Sequence, residues 1–437
     1  MESGRKPIRY VLVRVFLLAS ILLMALAIHR FVEQTPHPAV ADLYEAVYGM
    51  ICPWESEVVE AASPAVGNAF DQLAWDIPGG DIPPTRCLAD PYPEFSTVAV
   101  DPVNDEVMFG DQNLKGLLVY DRRAGSLSSE TTEPLRKVRG PQTGIGFVAG
   151  TAVDPVRREF YVVGNDVEDR IAVFSKDSNG NALPVRLLYT PHQAWGIALD
   201  QARDELVITT EELNAIFFYR KEAKGLEAPL RMIRGEKTGM ADPHGIALDE
   251  RHGELFVANH GNYHQEEDSY RYRNEFGGLL KSSGAFQPPS ITIFSKNAEG
   301  DEAPLRRIAG ERTGLNWPMG MSYDETADEI VVANNGDDSI LFFRRDAQGN
   351  VAPSRVIRGP ATGIAQPVGV FVDAKNQELW VSNFNNHSAT VYDLRAKGNA
   401  KPIRIIRNAP EGTPTTGLAN VGALAYNPGR DEVYVAN

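Results

Sequence analysis

The chain has 437 residues, a formal net charge of −15, 43% hydrophobic residues and 23% charged residues, which is an ordinary globular composition. Such acidity disfavours nucleic acid and anionic lipid headgroups as partners, because both carry negative charge. The 38 glycines and 29 prolines are typical of many short strands joined by turns. These properties indicate a β-rich globular protein that does not bind nucleic acid.

Residues 1–30 predict a signal peptide or a membrane anchor. Basic residues precede an apolar stretch that ends in Ala25-Leu26-Ala27, a small-x-small pattern typical of a signal-peptidase site. If the apolar stretch is extended toward the N-terminus past Arg14, it covers residues 10–29 and could instead be a membrane tether. Both alternatives predict that the rest of the chain is extracytoplasmic, in the periplasm or at the cell surface, because the positive end stays inside.

The next segment, residues 31–69, is predicted to be a linker. Its apolar residues Val40, Leu43 and Val47 follow roughly helical spacing, which predicts a short helical lead-in. The chain has only two cysteines, Cys52 and Cys87. In an oxidising compartment we expect them to form a disulfide, with two unpaired buried thiols as the alternative.

Residues 70–437 contain a repeat of four short apolar runs, which we call strands A to D. In one copy these are residues 244–249, 254–259, 290–294 and 304–308. A glutamate begins strand B in seven copies: Glu106, Glu159, Glu205, Glu254, Glu329, Glu378 and Glu432. A Pro-x-Arg begins strand D in seven copies, with Arg86, Arg136, Arg186, Arg231, Arg306, Arg355 and Arg404. Four such strands form one antiparallel blade of a β-propeller.

The phase of these markers predicts the number of blades. The first Pro-x-Arg precedes the first marker glutamate, and no Pro-x-Arg follows the last. Residues 70–90 would therefore supply strands C and D, and residues 422–437 strands A and B, of one shared blade. Their pairing would close the ring without an exposed sheet edge. The sequence thus predicts one all-β domain over residues 70–437, a seven-bladed β-propeller that is complete at Asn437.

The marker glutamate and arginine of each copy lie at the same end of the blade. We expect them either to pair across blades or to be separately solvated beside turns. Partly exposed ion pairs contribute about 0–1 kcal/mol each, so we interpret these residues as structural markers and assign them no chemistry.

The runs Ala-Leu-Asp at 247–249 and Leu-Phe-Val-Ala-Asn at 255–259 resemble the YVTN-type and NHL-type propeller repeats of bacterial and archaeal exported proteins. The resemblance covers about residues 70–437. It implies the fold far more than a function, because such repeats occur in surface proteins, binding modules, lactonases and lyases alike.

Ligands of propellers usually bind where strand A begins and strand B ends, around the central channel. The start of strand A is varied along the chain: Ser96, Ala149, Trp195, His244, Met319, Val368 and Gly422. The end of strand B is mostly polar: Asp111, Gly164, Thr210, Asn259, Asn334, Asn383 and Asn437. Such a polar ring offers oxygen ligands for a hard cation such as calcium, and lactonase-type propellers use one. Satisfaction of turn backbone is the alternative.

We assign no cofactor and no metal from the sequence. A zinc site needs about three convergent ligands, and only His244 and His260 stand near the two rings. A lyase-type zinc triad is therefore not expected.

One repeat departs from the others by a long insertion between strands B and C. Glu254 and Glu329 are 75 residues apart, against 49 for Glu205 and Glu254. The insertion is rich in tyrosine and arginine, which are over-represented at interface hot spots. A surface insertion that packs on its own blade is the alternative. The predicted ligand-contacting residues are Trp195, Glu211, His244, Asn259, His260, Tyr270, Arg271, Tyr272, Arg273, Trp317, Met319, Asn334 and Asn383.

These observations predict a non-enzymatic binding or scaffold protein. Its channel face and the long insertion that follows residue 259, in the fourth copy counted from Glu106, would contact a protein or glycan partner. No nucleophile elbow, phosphate loop or His-Glu-x-x-His motif is present, and no catalytic residue is assigned. The alternative is a metal-assisted, lactonase-like hydrolase or lyase with its site in the channel mouth.

Overall fold

The computed structural model describes residues 90–165, 168–261 and 287–415, together with the strands at 423–427 and 432–436. Within these ranges the chain consists of antiparallel β-strands, turns and a few single-turn 3-10 helices. No helix in the described ranges is long and apolar enough to cross a bilayer.

Several predicted features lie outside the described residues. They are the signal peptide or anchor at 1–30, the linker at 31–69, the cysteine pair Cys52 and Cys87, and the strands expected over residues 70–89. These remain predictions.

The strands form six four-stranded sheets, and within each sheet consecutive strands are neighbours. Blade 1 contains β1 (Phe95–Asp101), β2 (Glu106–Asp111), β3 (Gly116–Asp121) and β4 (Arg136–Arg139). Blade 2 contains β5 (Phe147–Asp154), β6 (Glu159–Asn165), β7 (Arg170–Ser175) and β8 (Arg186–Tyr189). Blade 3 contains β9 (Ala194–Asp200), β10 (Glu205–Thr210), β11 (Ala215–Arg220) and β12 (Arg231–Arg234).

The second half of the ring repeats this pattern. Blade 4 contains β13 (Pro243–Asp249), β14 (Glu254–Asn259), β15 (Ser290–Ser295) and β16 (Arg306–Ala309). Blade 5 contains β17 (Pro318–Asp324), β18 (Glu329–Asn334), β19 (Ser339–Arg344) and β20 (Arg355–Ile357). Blade 6 contains β21 (Pro367–Asp373), β22 (Glu378–Asn383), β23 (Ser388–Asp393) and β24 (Arg404–Arg407). A separate two-stranded sheet pairs β25 (Ala423–Asn427) with β26 (Glu432–Ala436).

The strand boundaries confirm the repeat that the sequence predicts. In all six blades strand B begins at the marker glutamate and strand D at the marker arginine. Strand A ends at an aspartate because that side chain closes the following turn. In blade 1, Asp101 Oδ1 accepts hydrogen bonds from the backbone N–H groups of Val103 and Asn104, at 2.9 and 3.0 Å. A short acidic side chain at this point therefore sets where each A–B hairpin turns.

The predicted number of blades was wrong: the ring has six blades, not seven. Strand β1 of blade 1 packs directly against β21 and β22 of blade 6. The ring is therefore closed between these two complete blades, and no seventh blade stands between them. The reason is that every blade offers the same two faces, so the sixth blade can meet the first as readily as a seventh could.

A recurring hydrogen bond shows that blade 1 follows blade 6 in the way that blades 3 to 6 each follow their predecessor. The strand-D arginine donates to a backbone carbonyl that follows strand C of the next blade. These bonds are Arg186 to Lys221, Arg231 to Lys296, Arg306 to Arg345, Arg355 to Ala396 and Arg404 to Arg122, at 2.7, 2.9, 3.0, 2.7 and 3.1 Å. The last of these joins blade 6 to blade 1.

In each of the six described blades the marker arginine pairs with the marker glutamate of its own blade. Arg136 Nη1 lies 2.8 Å from Glu106 Oε1 in blade 1, and Arg404 Nη1 lies 2.8 Å from Glu378 Oε1 in blade 6. Neither expectation from the sequence, pairing across blades or separate solvation, describes this arrangement. The pair spans strand C within one blade, and the arginine then reaches the next blade.

The hydrophobic core lies between the faces of neighbouring blades. At the closing junction Trp380 of blade 6 is fully buried, and its ring centroid lies 6.4 Å from that of Phe109 in blade 1. Phe95, Val98 and Tyr120 of blade 1 belong to the same buried cluster. Burial of this apolar surface is what stabilises the closed ring.

Candidate functional site

The start of strand A and the end of strand B meet at one face of each blade, as predicted. In blade 4, Pro243 of β13 pairs with Asn259 of β14. One to two residues further along strand A, neighbouring A strands approach each other closely. The evidence is that a Cβ atom added to Gly245 would lie only 2.2 Å from the carbonyl oxygen of Met319 in the next blade. Only glycine allows this approach. The residue before the glycine, His244, therefore stands at the rim above a channel closed in by backbone.

Two buried histidines lie against each other at this rim. His244 stands near the start of β13 and His260 directly follows β14, so the hairpin pairing of blade 4 brings them together. Their ring centroids are 3.4 Å apart and the ring planes differ by 17°. Both side chains are almost completely buried.

Asp242 completes a cluster with these two imidazoles. Its Oδ1 lies 3.5 Å from His244 Nδ1, and its Oδ2 lies 3.6 Å from His260 Nδ1. The three side chains bring one ligand atom each within 4.8 Å of one another, so they are close enough to hold a metal ion. Asp242 is not among the residues predicted from the sequence, because an aspartate before a proline in a loop normally indicates a turn. The available signal was the run Asp-Pro-His at 242–244 with His260 one hairpin away.

The opposite nitrogens of both rings face side chains from the neighbouring blades. His244 Nε2 lies 3.1 Å from Glu211 Oε1 of blade 3, and His260 Nε2 lies 2.8 Å from the sulfur of Met319 in blade 5. Burial by itself lowers the pKa of His244, but the carboxylates of Glu211 and Asp242 outweigh it and raise the pKa above its usual value.

Two tryptophans flank the histidine pair. Trp195 of blade 3 lies 4.4 Å from His244 between ring centroids, and Trp317 lies 5.5 Å from His260 with ring planes 23° apart. Six of the predicted site residues are thus brought together at one sector of the channel face: Trp195, Glu211, His244, His260, Trp317 and Met319. We call these six residues and Asp242 the rim cluster.

The three predicted asparagines are buried and bonded to backbone. Asn259 Oδ1 accepts from the N–H of Ala241 at 3.1 Å, and Asn334 Oδ1 from that of Asn316 at 2.7 Å. Asn383 Oδ1 does the same for Ala365 at 3.2 Å. Each amide therefore supports the loop that enters its own blade, and we place these residues outside the rim cluster. Tyr270, Arg271, Tyr272 and Arg273 lie outside the described residues.

A second cluster of acids and a histidine lies at the junction of blades 6 and 1. His387 follows β22, and its Nε2 lies 3.1 Å from Asp90 Oδ2 while its Nδ1 lies 2.9 Å from the carbonyl oxygen of Pro93. Burial raises the pKa of Glu94 to about 7, and the carboxylates of Asp90 and Asp111 add to the shift.

Asp90, Glu94 and His387 are also close enough to ligate an ion. The raised pKa of Glu94 means that this carboxyl group keeps its proton at a higher pH than an exposed glutamate does. None of these three residues is predicted from the sequence, since nothing in their local pattern indicates burial.

Comparison with known proteins adds the following. No protein-family model and no curated protein matches the sequence. Among solved structures, hydrazine synthase of Kuenenia stuttgartiensis is similar over 72% of this chain and 80% of that chain, with 13% identity and a TM-score of 0.46. A nidogen/laminin complex is similar over 72% of this chain and 92% of that chain, with 15% identity and a TM-score of 0.45. The chain is a β-propeller by its own strand order, while its resemblance to YVTN and NHL repeats and its export stay predictions.

Proposed function

We propose that this chain is a non-enzymatic binding propeller that contacts a protein partner through the channel face of blades 3 to 5. The observation that carries the proposal is Trp317. This residue has a φ of 50° and is 51% exposed to solvent. Gln193, Asp242 and Gln366 have the same left-handed conformation directly before strand A in blades 3, 4 and 6.

A tryptophan at this position does not serve the fold. The left-handed conformation costs roughly 1–2 kcal/mol for a residue with a Cβ atom, and half of the indole stays in water. The other blades with the same conformation here have an aspartate or a glutamine at this position. Aromatic residues next to a buried cluster are typical of the hot spots at which partners bind.

The insertion of blade 4 also favours a binding surface on the channel face of blades 3 to 5. It leaves the blade directly after His260 and Gly261 and returns at residue 287, beside the rim cluster. Its Tyr270-Arg271-Tyr272-Arg273 run has the composition of a protein-binding surface rather than of a linker. The basic and apolar N-terminus supports a site of action outside the cytoplasm.

Replacing Trp317 with glutamine tests this proposal, because it installs the residue that blades 3 and 6 have at this position. We expect the captured partner to be lost while the thermal midpoint stays the same or rises slightly. The measurement is cross-linked affinity capture with the full chain from its native envelope fraction, followed by binding of the purified partner. Leu226→Ala is the matched control, since Leu226 is 73% exposed in a loop of blade 3 away from the rim cluster.

Binding of the same partner by Trp317→Gln and by the wild type would remove the basis of the proposal. If the wild type captures a glycan instead of a protein, and Trp317→Gln does not, the proposed binding surface stands but the proposed class of partner is wrong.

A further inference from the structure

In the rim cluster the Nδ1 atoms of two imidazoles lie near oxygen atoms of Asp242. His244 Nδ1 lies 3.5 Å from Asp242 Oδ1 and 3.1 Å from the carbonyl oxygen of Asp242. His260 Nδ1 lies 3.6 Å from Asp242 Oδ2. Charge-assisted hydrogen bonds to a carboxylate are about 2.7–2.9 Å long, so neither contact with the carboxylate is a well-formed one.

These separations are those of atoms bound to a common ion. In a tetrahedral zinc centre with bonds of about 2.0–2.2 Å, neighbouring ligand atoms lie about 3.3–3.6 Å apart. The nitrogen–oxygen distances of 3.5 and 3.6 Å fall within that range. The ligand atoms are therefore close enough to share an ion, but the two stacked rings must turn about their side-chain bonds before both Nδ1 atoms can point at it.

The Nε2 atoms of both histidines contact side chains of the neighbouring blades, which orient the rings. Glu211 lies 3.1 Å from His244 Nε2, so its carboxylate accepts the Nε2 proton and leaves Nδ1 as the ligand atom. The sulfur of Met319 lies 2.8 Å from His260 Nε2 and favours the same tautomer there. A carboxylate on the far nitrogen of a ligating histidine is a typical outer contact of metal centres, where it fixes the ring and raises its basicity.

The two imidazoles stack with 3.4 Å between their ring centroids in a buried site. The carboxylates of Asp242 and Glu211 beside them would balance the charge of one divalent ion.

We propose that Asp242, His244 and His260 bind one divalent first-row transition metal ion, with zinc the best fit. Two imidazoles and one carboxylate are a donor set of zinc sites, whereas calcium takes six to eight oxygen ligands. Three protein ligands leave a fourth position for water or an incoming group. This inference goes beyond the proposed partner binding and does not depend on it.

The test is metal titration of the full chain after removal of metals by a chelator. Calorimetry with zinc chloride is expected to give one ion per chain, and cobalt(II) chloride to give the visible absorption of a low-coordinate centre. Asp242→Asn and His260→Gln should each weaken zinc binding by more than about 100-fold, since each removes a ligand. Glu211→Gln should weaken it by about 10–100-fold and leave the stoichiometry at one.

His252→Gln is the matched control. His252 also pairs with an aspartate, its Nδ1 lying 2.7 Å from Asp249 Oδ2, but it follows strand A at the opposite end of blade 4. We expect this variant to bind zinc as the wild type does. Far-UV circular dichroism of the metal-free variants shows whether they fold. If His260→Gln does not fold, Asp242→Asn, which keeps the shape of the side chain, is the variant used for the test.

Absence of a one-to-one zinc complex would overturn the inference. So would zinc binding that is unchanged in Asp242→Asn and folded His260→Gln, or that is lost in His252→Gln, because the ion would then sit elsewhere. The titration uses the isolated chain, so its failure leaves the proposed partner binding untouched.

Discussion

Replacing Trp380 with alanine is expected to lower the free energy of unfolding by about 3–5 kcal/mol, the usual cost of removing a large aromatic side chain from a core. The indole is fully buried between blades 6 and 1, within 6.4 Å of the ring of Phe109. The substitution leaves a cavity at the junction that closes the ring. Urea unfolding followed by far-UV circular dichroism measures the change without depending on tryptophan fluorescence.

Trp317→Ala is the comparison for this experiment, since the same chemical change at a half-exposed position should lower the unfolding free energy by clearly less than Trp380→Ala does. Equal unfolding midpoints for Trp380→Ala and the wild type would mean that blade 6 does not pack on blade 1. The six-bladed closure would then have to be abandoned.

Stability is expected to fall as the pH rises toward and through 7, and Glu94→Gln should remove much of this dependence. The pKa of Glu94 is raised by burial from 4.5 to about 7. Between these values the folded chain binds more protons than the unfolded chain, so rising pH favours unfolding. At 1.36 kcal/mol per pKa unit, the protonated form contributes about 3 kcal/mol below pH 4.5, and this is lost above pH 7.

Glutamine imitates the protonated acid, so Glu94→Gln should be more stable than the wild type at pH 8 and similar to it at pH 5. The measurement is a series of urea unfolding curves between these pH values, with the exposed Glu325→Gln as control. Burial also raises the pKa of Asp111 to about 6, so a weaker dependence of the same sign should remain at lower pH. An unchanged pH slope in Glu94→Gln would show that this carboxyl group is not protonated in the fold.

The number of blades illustrates what a repeat pattern cannot encode. Each copy predicts its own strands, because alternating apolar residues and the Asp–Glu hairpin act over short distances along the chain. Ring closure depends on how two blade faces meet, and all faces carry the same kind of apolar surface. The contact of Trp380 with Phe109 and the bond from Arg404 to the carbonyl of Arg122 become visible only in three dimensions.

The site shows a similar division. The start of strand A and the end of strand B were predicted to meet, which brings His244, His260 and Met319 to one sector. Asp242 was missed because its loop position has a common structural explanation. Its carboxylate is assigned to the site only when the burial and the facing imidazole nitrogens are known.

By itself the sequence determined the β-propeller class, the order of strands A to D and the residues at which strands B and D begin, since these follow from hydrophobic periodicity and turn chemistry. The tertiary structure alone decided that six blades close the ring, that the marker arginines bridge to the next blade, and that Glu94 lies in a buried acidic junction. The physical reason is that local patterns specify backbone conformation, whereas closure, burial and pKa depend on groups that are distant in sequence and meet only after folding.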